Sequence, residues 1–128
     1  MIFIDTNYFL RLLDDDKSDL HKKAHDLFLK AATSTETYMT SILVLFEVYW
    51  VLKSFYHQDK MQCVFAIESI LKMNFVEIAD RKILQQALVC FSQSSLELED
   101  CFHLEQSKAA HCTGIATFDA KLSRAFED

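Results

Sequence analysis

Four acidic residues, Asp5, Glu47, Asp100 and Asp119, stand at positions where carboxylate chemistry would need them. Asp5 directly follows the apolar run Ile2-Phe3-Ile4, and Asp119 directly follows Ile115-Ala116-Thr117-Phe118. In open parallel sheets the ligand crevice lies beyond the carboxyl ends of the strands, so two neighbouring strands would aim both carboxylates into one crevice. A plainer account competes, because an Asp after a strand commonly caps the helix that follows. That account suffices for Asp119 taken alone and competes on equal terms for Asp5. Glu47 is harder to explain away. Ile42 to Phe46 precede it and Val48 to Leu52 follow it, and a helix apolar on every side is a buried one. A carboxylate there is costly unless it is paired, hydrogen-bonded or bound to metal. A salt bridge to a basic residue such as Arg11 is the structural alternative, and a site role accounts for the position better. Asp100 opens a helix, with His103 and Ser107 on its face at helical spacing and Glu97 one turn before. Acids in a first turn also simply favour the helix dipole. His103 reads as a hydrogen-bonding partner rather than a ligand.

The elements that must position these acids follow from periodicity. With no proline and a single glycine, Gly114, the chain lacks the turn chemistry of an all-β sandwich and favours helices with short connections. Strands are expected at Ile2 to Ile4, Thr37 to Thr40, Phe75 to Ile78 and Ile115 to Phe118. Helices are expected over Thr6 to Leu13, Ser18 to Ala32, Ser41 (as N-cap) to about Phe55, Asp59 to Leu71, Asp80 to Phe91 and Leu98 to His111. In the second of these, Leu20, Ala24, Leu27, Phe28 and Ala31 share one apolar face. Gly114 is expected to take the left-handed conformation that ends the last of these helices. Strands alternating with helices indicate an α/β sandwich with a mostly parallel sheet.

The 128 residues, 51% of them hydrophobic, suit one domain spanning 1–128 with one substantial core. The N-terminus has no basic start and carries an acid after three apolar residues, unlike a secretory signal. The longest apolar stretch, Ile42 to Leu52, is broken by Glu47 and falls far short of the roughly 20 residues of a membrane helix. A soluble, cytoplasmic protein is the expectation. Cys63, Cys90, Cys101 and Cys112 include no C-x-x-C pair and read as buried, reduced thiols. The spacing of Cys101, His103, His111 and Cys112 matches no structural zinc pattern. The net charge of -6 counts against a nucleic-acid binder. A carboxylate cluster that holds divalent cations would supply part of that excess, since the bound ion reverses the local field.

Taken together, these segments match a family. Ile4-Asp5-Thr6-Asn7 with Leu10, the enclosed Glu47, the helix start Glu97-Leu98-Glu99-Asp100-Cys101-Phe102-His103-Leu104, and Gly114-Ile115-Ala116-Thr117-Phe118-Asp119-Ala120-Lys121-Leu122 resemble PIN domains, in family order and over nearly the whole chain. The chain most resembles the VapC-type toxins of bacterial toxin-antitoxin modules. The resemblance implies a three-layer α/β/α sandwich with a mostly parallel central sheet of four or five strands. It also implies a ribonuclease whose metal-binding, catalytic acids are Asp5, Glu47, Asp100 and Asp119. Asn7 and Thr117 would be supporting groups, and Glu97 matches a position where some members carry an extra acid. The stretch Gln93 to Glu99 is more polar than the family pattern.

Phosphodiester cleavage needs an activated water and neutralisation of charge on the phosphate and leaving oxygen, which Mg²⁺ or Mn²⁺ can supply. Such ions prefer carboxylate and water oxygens. No P-loop, Gly-rich dinucleotide motif or G-x-S-x-G elbow offers a competing chemistry. A haloacid-dehalogenase-type phosphatase would place a second Asp two residues after the first, where this chain has Asn7. A PIN-like scaffold that binds RNA or protein without cleaving is the remaining alternative, although all four acids are present. The resemblance further implies an RNA substrate, a cognate antitoxin whose basic residue enters the acidic pocket, and a homodimer formed through the helices.

Overall fold

Three short strands form one sheet, and seven helices account for most of the remaining chain. The structure is a computed structural model describing residues 1–128. It contains two compact units, Met1–Ala79 and Asp80–Asp128.

In the first unit the sheet order is β1 (Ile2–Phe3), β2 (Tyr38–Thr40), β3 (Val76–Ile78), with both pairings parallel. Ile2 pairs with Tyr38, and Tyr38 in turn with Val76, so the three strands start in register. Parallel strands need long crossovers. Here α1 (Thr6–Leu13) and α2 (Asp19–Thr33) make the first, and α3 (Ile42–Ser54) and α4 (Lys60–Leu71) the second. Each start has a local cause. The Ser18 hydroxyl accepts from the His21 amide and the Ser41 hydroxyl from the Val44 amide, while Asp59 and Gln62 complete a reciprocal capping box. The core is built from Ile4, Phe9, Phe28, Tyr38, Leu45, Val48, Ile67, Ile70 and Val76, with the Phe9 and Phe28 rings 5.2 Å apart. Although α3 is apolar apart from Glu47 and its last turn, it leaves Leu43 and Trp50 exposed, so it is not the wholly buried helix its composition suggests. Leu20 likewise lies exposed rather than in the buried face of α2.

The second unit is all helix: α5 (Arg81–Gln93), α6 (Leu98–Ala109) and α7 (Ala120–Glu127). Leu84, Ala87, Leu88 and Phe91 of α5 recur at helical spacing and are buried, as are Leu98, Cys101, Phe102 and Leu104 of α6. Burial pushes the Cys101 thiol up to about 12, with the neighbouring Cys90 thiol adding to the shift. Cys63 is buried too, but Cys90 is half-buried and Cys112 exposed, so the four thiols are not uniformly interior.

Two expectations need correction. The sheet has three strands rather than four or five, because Ile115 to Phe118 forms no strand. Its unit contains only helices, so within that unit no ladder partner exists for it, and the Phe118 side chain is fully exposed. Gly114 does not end α6; it has no positive φ, and His111 takes the left-handed conformation at φ 58°. The His111 amide donates to the Lys108 carbonyl and the Cys112 amide to the Ser107 carbonyl, both at 3.0 Å, which is the double bond pattern of a Schellman cap. A left-handed residue with a Cβ is strained. His111→Gly is therefore expected to raise stability by about 0.5–1 kcal/mol in urea unfolding. An unchanged or lowered stability would show that the histidine side chain compensates for the strain.

Candidate active site

Asp5 is the N-cap of α1, yet its side chain makes no capping hydrogen bond and is exposed. The plainer capping role is thus absent at Asp5. What holds this corner is Thr40, whose hydroxyl donates to the Ile4 carbonyl at 2.8 Å, both residues being 1% exposed. The Ile4 amide donates to the Met39 carbonyl at 2.8 Å, so the residue before Asp5 is tied to β2 through both its backbone groups.

Glu47 lies on α3 and is half-buried rather than fully enclosed. Its Oε2 accepts a hydrogen bond of 2.7 Å from the hydroxyl of Thr6, the first residue of α1 and itself 7% exposed. An O–H donor at that distance from a carboxylate is a strong, charge-assisted partner. The expected alternative, a bridge to Arg11, is not formed; Arg11 Nη1 stands 3.9 Å from Asp16 Oδ2. The neighbour of one candidate acid therefore anchors another.

In the second unit Asp100, Thr117 and Asp119 line one open hollow of about 570 Å³, together with His103 and Ser107. Asp100 is half-buried in the first turn of α6. Asp119 does cap α7: its Oδ1 accepts from the amides of Lys121 at 2.9 Å and Leu122 at 3.2 Å. Both bonds use the same oxygen, so capping and cation binding through Oδ2 are compatible. Thr117 Oγ1 accepts from the Asp119 amide at 3.0 Å and fixes the turn that presents the acid. Glu97 is the exposed N-cap of α6, its carboxylate making no capping bond. Asn7 is exposed on α1 and borders a different, smaller hollow with Tyr8 and Arg11.

In neither unit do three or more acid, histidine or cysteine side chains gather into a group that could hold a metal ion. The donors on offer are carboxylate oxygens, the type that hard divalent cations select. The profile of the PIN domain matches residues 2–127. The chain belongs to the PIN-domain family. Among solved structures this PIN domain is similar to the sarcin-ricin-loop-cleaving toxin VapC20 of Mycobacterium tuberculosis. The two are 23% identical, with a TM-score of 0.46 over 98% of this chain and 95% of that one. No curated protein matches the chain.

Sequence reasoning missed Thr6 and Thr40. A threonine in an apolar strand or at a helix start reads as a local structure former, and only partners 41 and 36 residues away in sequence reveal these two as donors. Thr6→Val, which keeps the shape and removes the hydroxyl, is expected to lower unfolding free energy by about 1.5 kcal/mol, the low end for a charged acceptor because Glu47 is half-exposed. Thr6→Ser should retain most of that stability in the same urea titration. Equal losses in the two variants would mean that packing, not the hydrogen bond, is what Thr6 supplies.

Proposed function

We propose that this PIN domain is a metal-dependent endoribonuclease that hydrolyses RNA phosphodiester bonds as the toxin of a toxin-antitoxin module. The reading assigns metal binding and catalysis to Asp5, Glu47, Asp100 and Asp119, with Glu97 as a further acid and Asn7 and Thr117 in support. One observation carries it furthest: Asp5 sits at a helix N-terminus without capping it, at the end of a doubly tethered strand, next to the residue that anchors Glu47. An acid retained for helix stability would make the cap. When bound, Mg²⁺ or Mn²⁺ supplies charge neutralisation and a more acidic water. The chain's own contribution is positioning. Thr6 holds one Glu47 oxygen so that the other is presented in a fixed direction, and the α7 amides do the same for Asp119.

A nuclease of this kind would damage its own cell, so the reading includes a cognate antitoxin that offers an Arg or Lys to the acids. Such binding would be fast and salt-sensitive. Exposed apolar residues on α3 and α4, namely Leu43, Met61 and Phe65, support a homodimer through the helices. No helix is long and apolar enough to cross a membrane, and the reading places the protein in the cytoplasm. The alternative, a PIN-like scaffold that binds RNA or protein without cleaving, predicts binding alone.

Purified protein is expected to cleave single-stranded RNA with Mg²⁺ or Mn²⁺ and not with EDTA. Asp5→Asn and, separately, Asp100→Asn should abolish cleavage while leaving the metal-free melting temperature unchanged or raised, as expected of acids kept for chemistry rather than for the fold. Expression of the unaltered chain should slow growth and that of Asp5→Asn should not. Cleavage retained alongside a large loss of melting temperature would return these acids to a structural role. RNA bound but left intact would favour the scaffold.

A further inference from the structure

A second hollow, of about 290 Å³, opens in the first unit between α1 and α2, lined by Asn7, Tyr8, Arg11, Leu20, Lys23 and Ala24. Its size is at the small end of ligand pockets, about 300–1,000 Å³. Its chemistry runs against that of the whole chain, which carries a net charge of -6. Two of its six lining residues are cations and none is an acid. Leu20, on the otherwise buried face of α2, is exposed and adds apolar surface to the hollow. Tyr8, half-buried, contributes an aromatic ring and Asn7 an amide two residues beyond Asp5.

Cations beside an aromatic ring and an apolar floor make the pattern by which proteins hold single-stranded nucleic acid, phosphate on the charges and base on the ring. We propose that this hollow is a subsite for one nucleotide of an RNA strand, with Arg11 and Lys23 taking the phosphate and Tyr8 the base. The assignment rests on the ribonuclease reading and names where that reading's substrate is gripped. Arg11 is available for it. Its only ion pair, with Asp16, is long at 3.9 Å and its two side chains are 42% and 38% exposed, so a phosphate can displace the carboxylate. The Arg11 backbone is held independently, its carbonyl meeting the His21 ring at Nδ1 at 2.7 Å, so the α1–α2 corner keeps its shape when the side chain moves.

The test is fluorescence anisotropy of labelled single-stranded RNA with the full chain, in EDTA, at several salt concentrations. In Arg11→Gln/Lys23→Gln the slope of log K against log salt should fall in magnitude by roughly 0.7, the value for the one phosphate of a single strand that is no longer neutralised. Arg11→Lys/Lys23→Arg should keep the parent slope, and so should an equal removal of charge outside the hollow, Lys30→Gln/Lys72→Gln. Tyr8→Leu should weaken binding roughly 5- to 150-fold without changing the slope. The proposal is overturned if the double glutamine variant keeps the parent slope, if Lys30→Gln/Lys72→Gln lowers it as much, or if the parent binds no RNA. It is also overturned if only binding of a polyglutamate peptide responds, which would give the hollow to an acidic protein partner. Cleavage is scored separately with Mn²⁺ at saturating RNA. An unchanged slope with cleavage intact removes the subsite alone, whereas a parent that grips RNA here without cleaving it removes the nuclease reading alone.

Discussion

The 2.7 Å hydrogen bond from Thr6 to Glu47 is the interaction on which the first unit's candidate site depends. Glu47 is the one charged residue between Ile42 and Leu52, on a helix whose neighbours Phe46 and Val48 are buried. A carboxylate in such surroundings forfeits part of its hydration and must recover it from a donor. Thr6 is that donor, and because it begins α1 the bond also fixes where α1 starts against α3. The start of α1 is in turn where Asp5 sits. One side chain thereby links the cost of placing a charge on an apolar helix to the placement of a second charge.

Thr40 works on the same corner from the sheet side. Its buried hydroxyl takes the Ile4 carbonyl, which would otherwise be left in a dry environment at the point where β1 ends. A strand of two residues has few ladder bonds of its own to define its end. Side-chain donors supply the definition that the ladder lacks. In the second unit the equivalent precision comes from local turns: Thr117 fixes Asp119, and Asp119 fixes α7. The two units thus reach rigid acids by different routes, long-range hydrogen bonds in one and a cap in the other.

How much of this is legible in the sequence depends on the range of the interaction. Every helix expected from apolar period appears to within two residues, because spacing at three and four positions is a local signal that packing reinforces. The Ser41 cap is likewise local and is found as expected. Ile115 to Phe118 reads as a strand from composition, but a strand exists only through its partner, and four residues do not specify one. The end of α6 misleads for a related reason: glycine is the cheapest left-handed residue, yet a helix stops where its last carbonyls find donors, and those are the amides of His111 and Cys112. Glu47 is legible as a carboxylate in a costly position and Asp5 as one just past β1, whereas Asp119, expected at a strand end, follows a stretch that forms no strand. Their anchors are not legible, since a threonine 41 residues from its acceptor leaves no trace in spacing.

The claim that these acids are kept for cation chemistry is tested most directly by calorimetric titration of Mn²⁺ into the metal-free chain, without RNA. Asp5→Asn and Asp119→Asn serve as comparisons, the second because asparagine retains the α7 cap while removing the charge. Saturable binding to the parent, abolished in both variants at unchanged helical circular dichroism, is the predicted result. Binding of parental affinity in either variant would contradict the account.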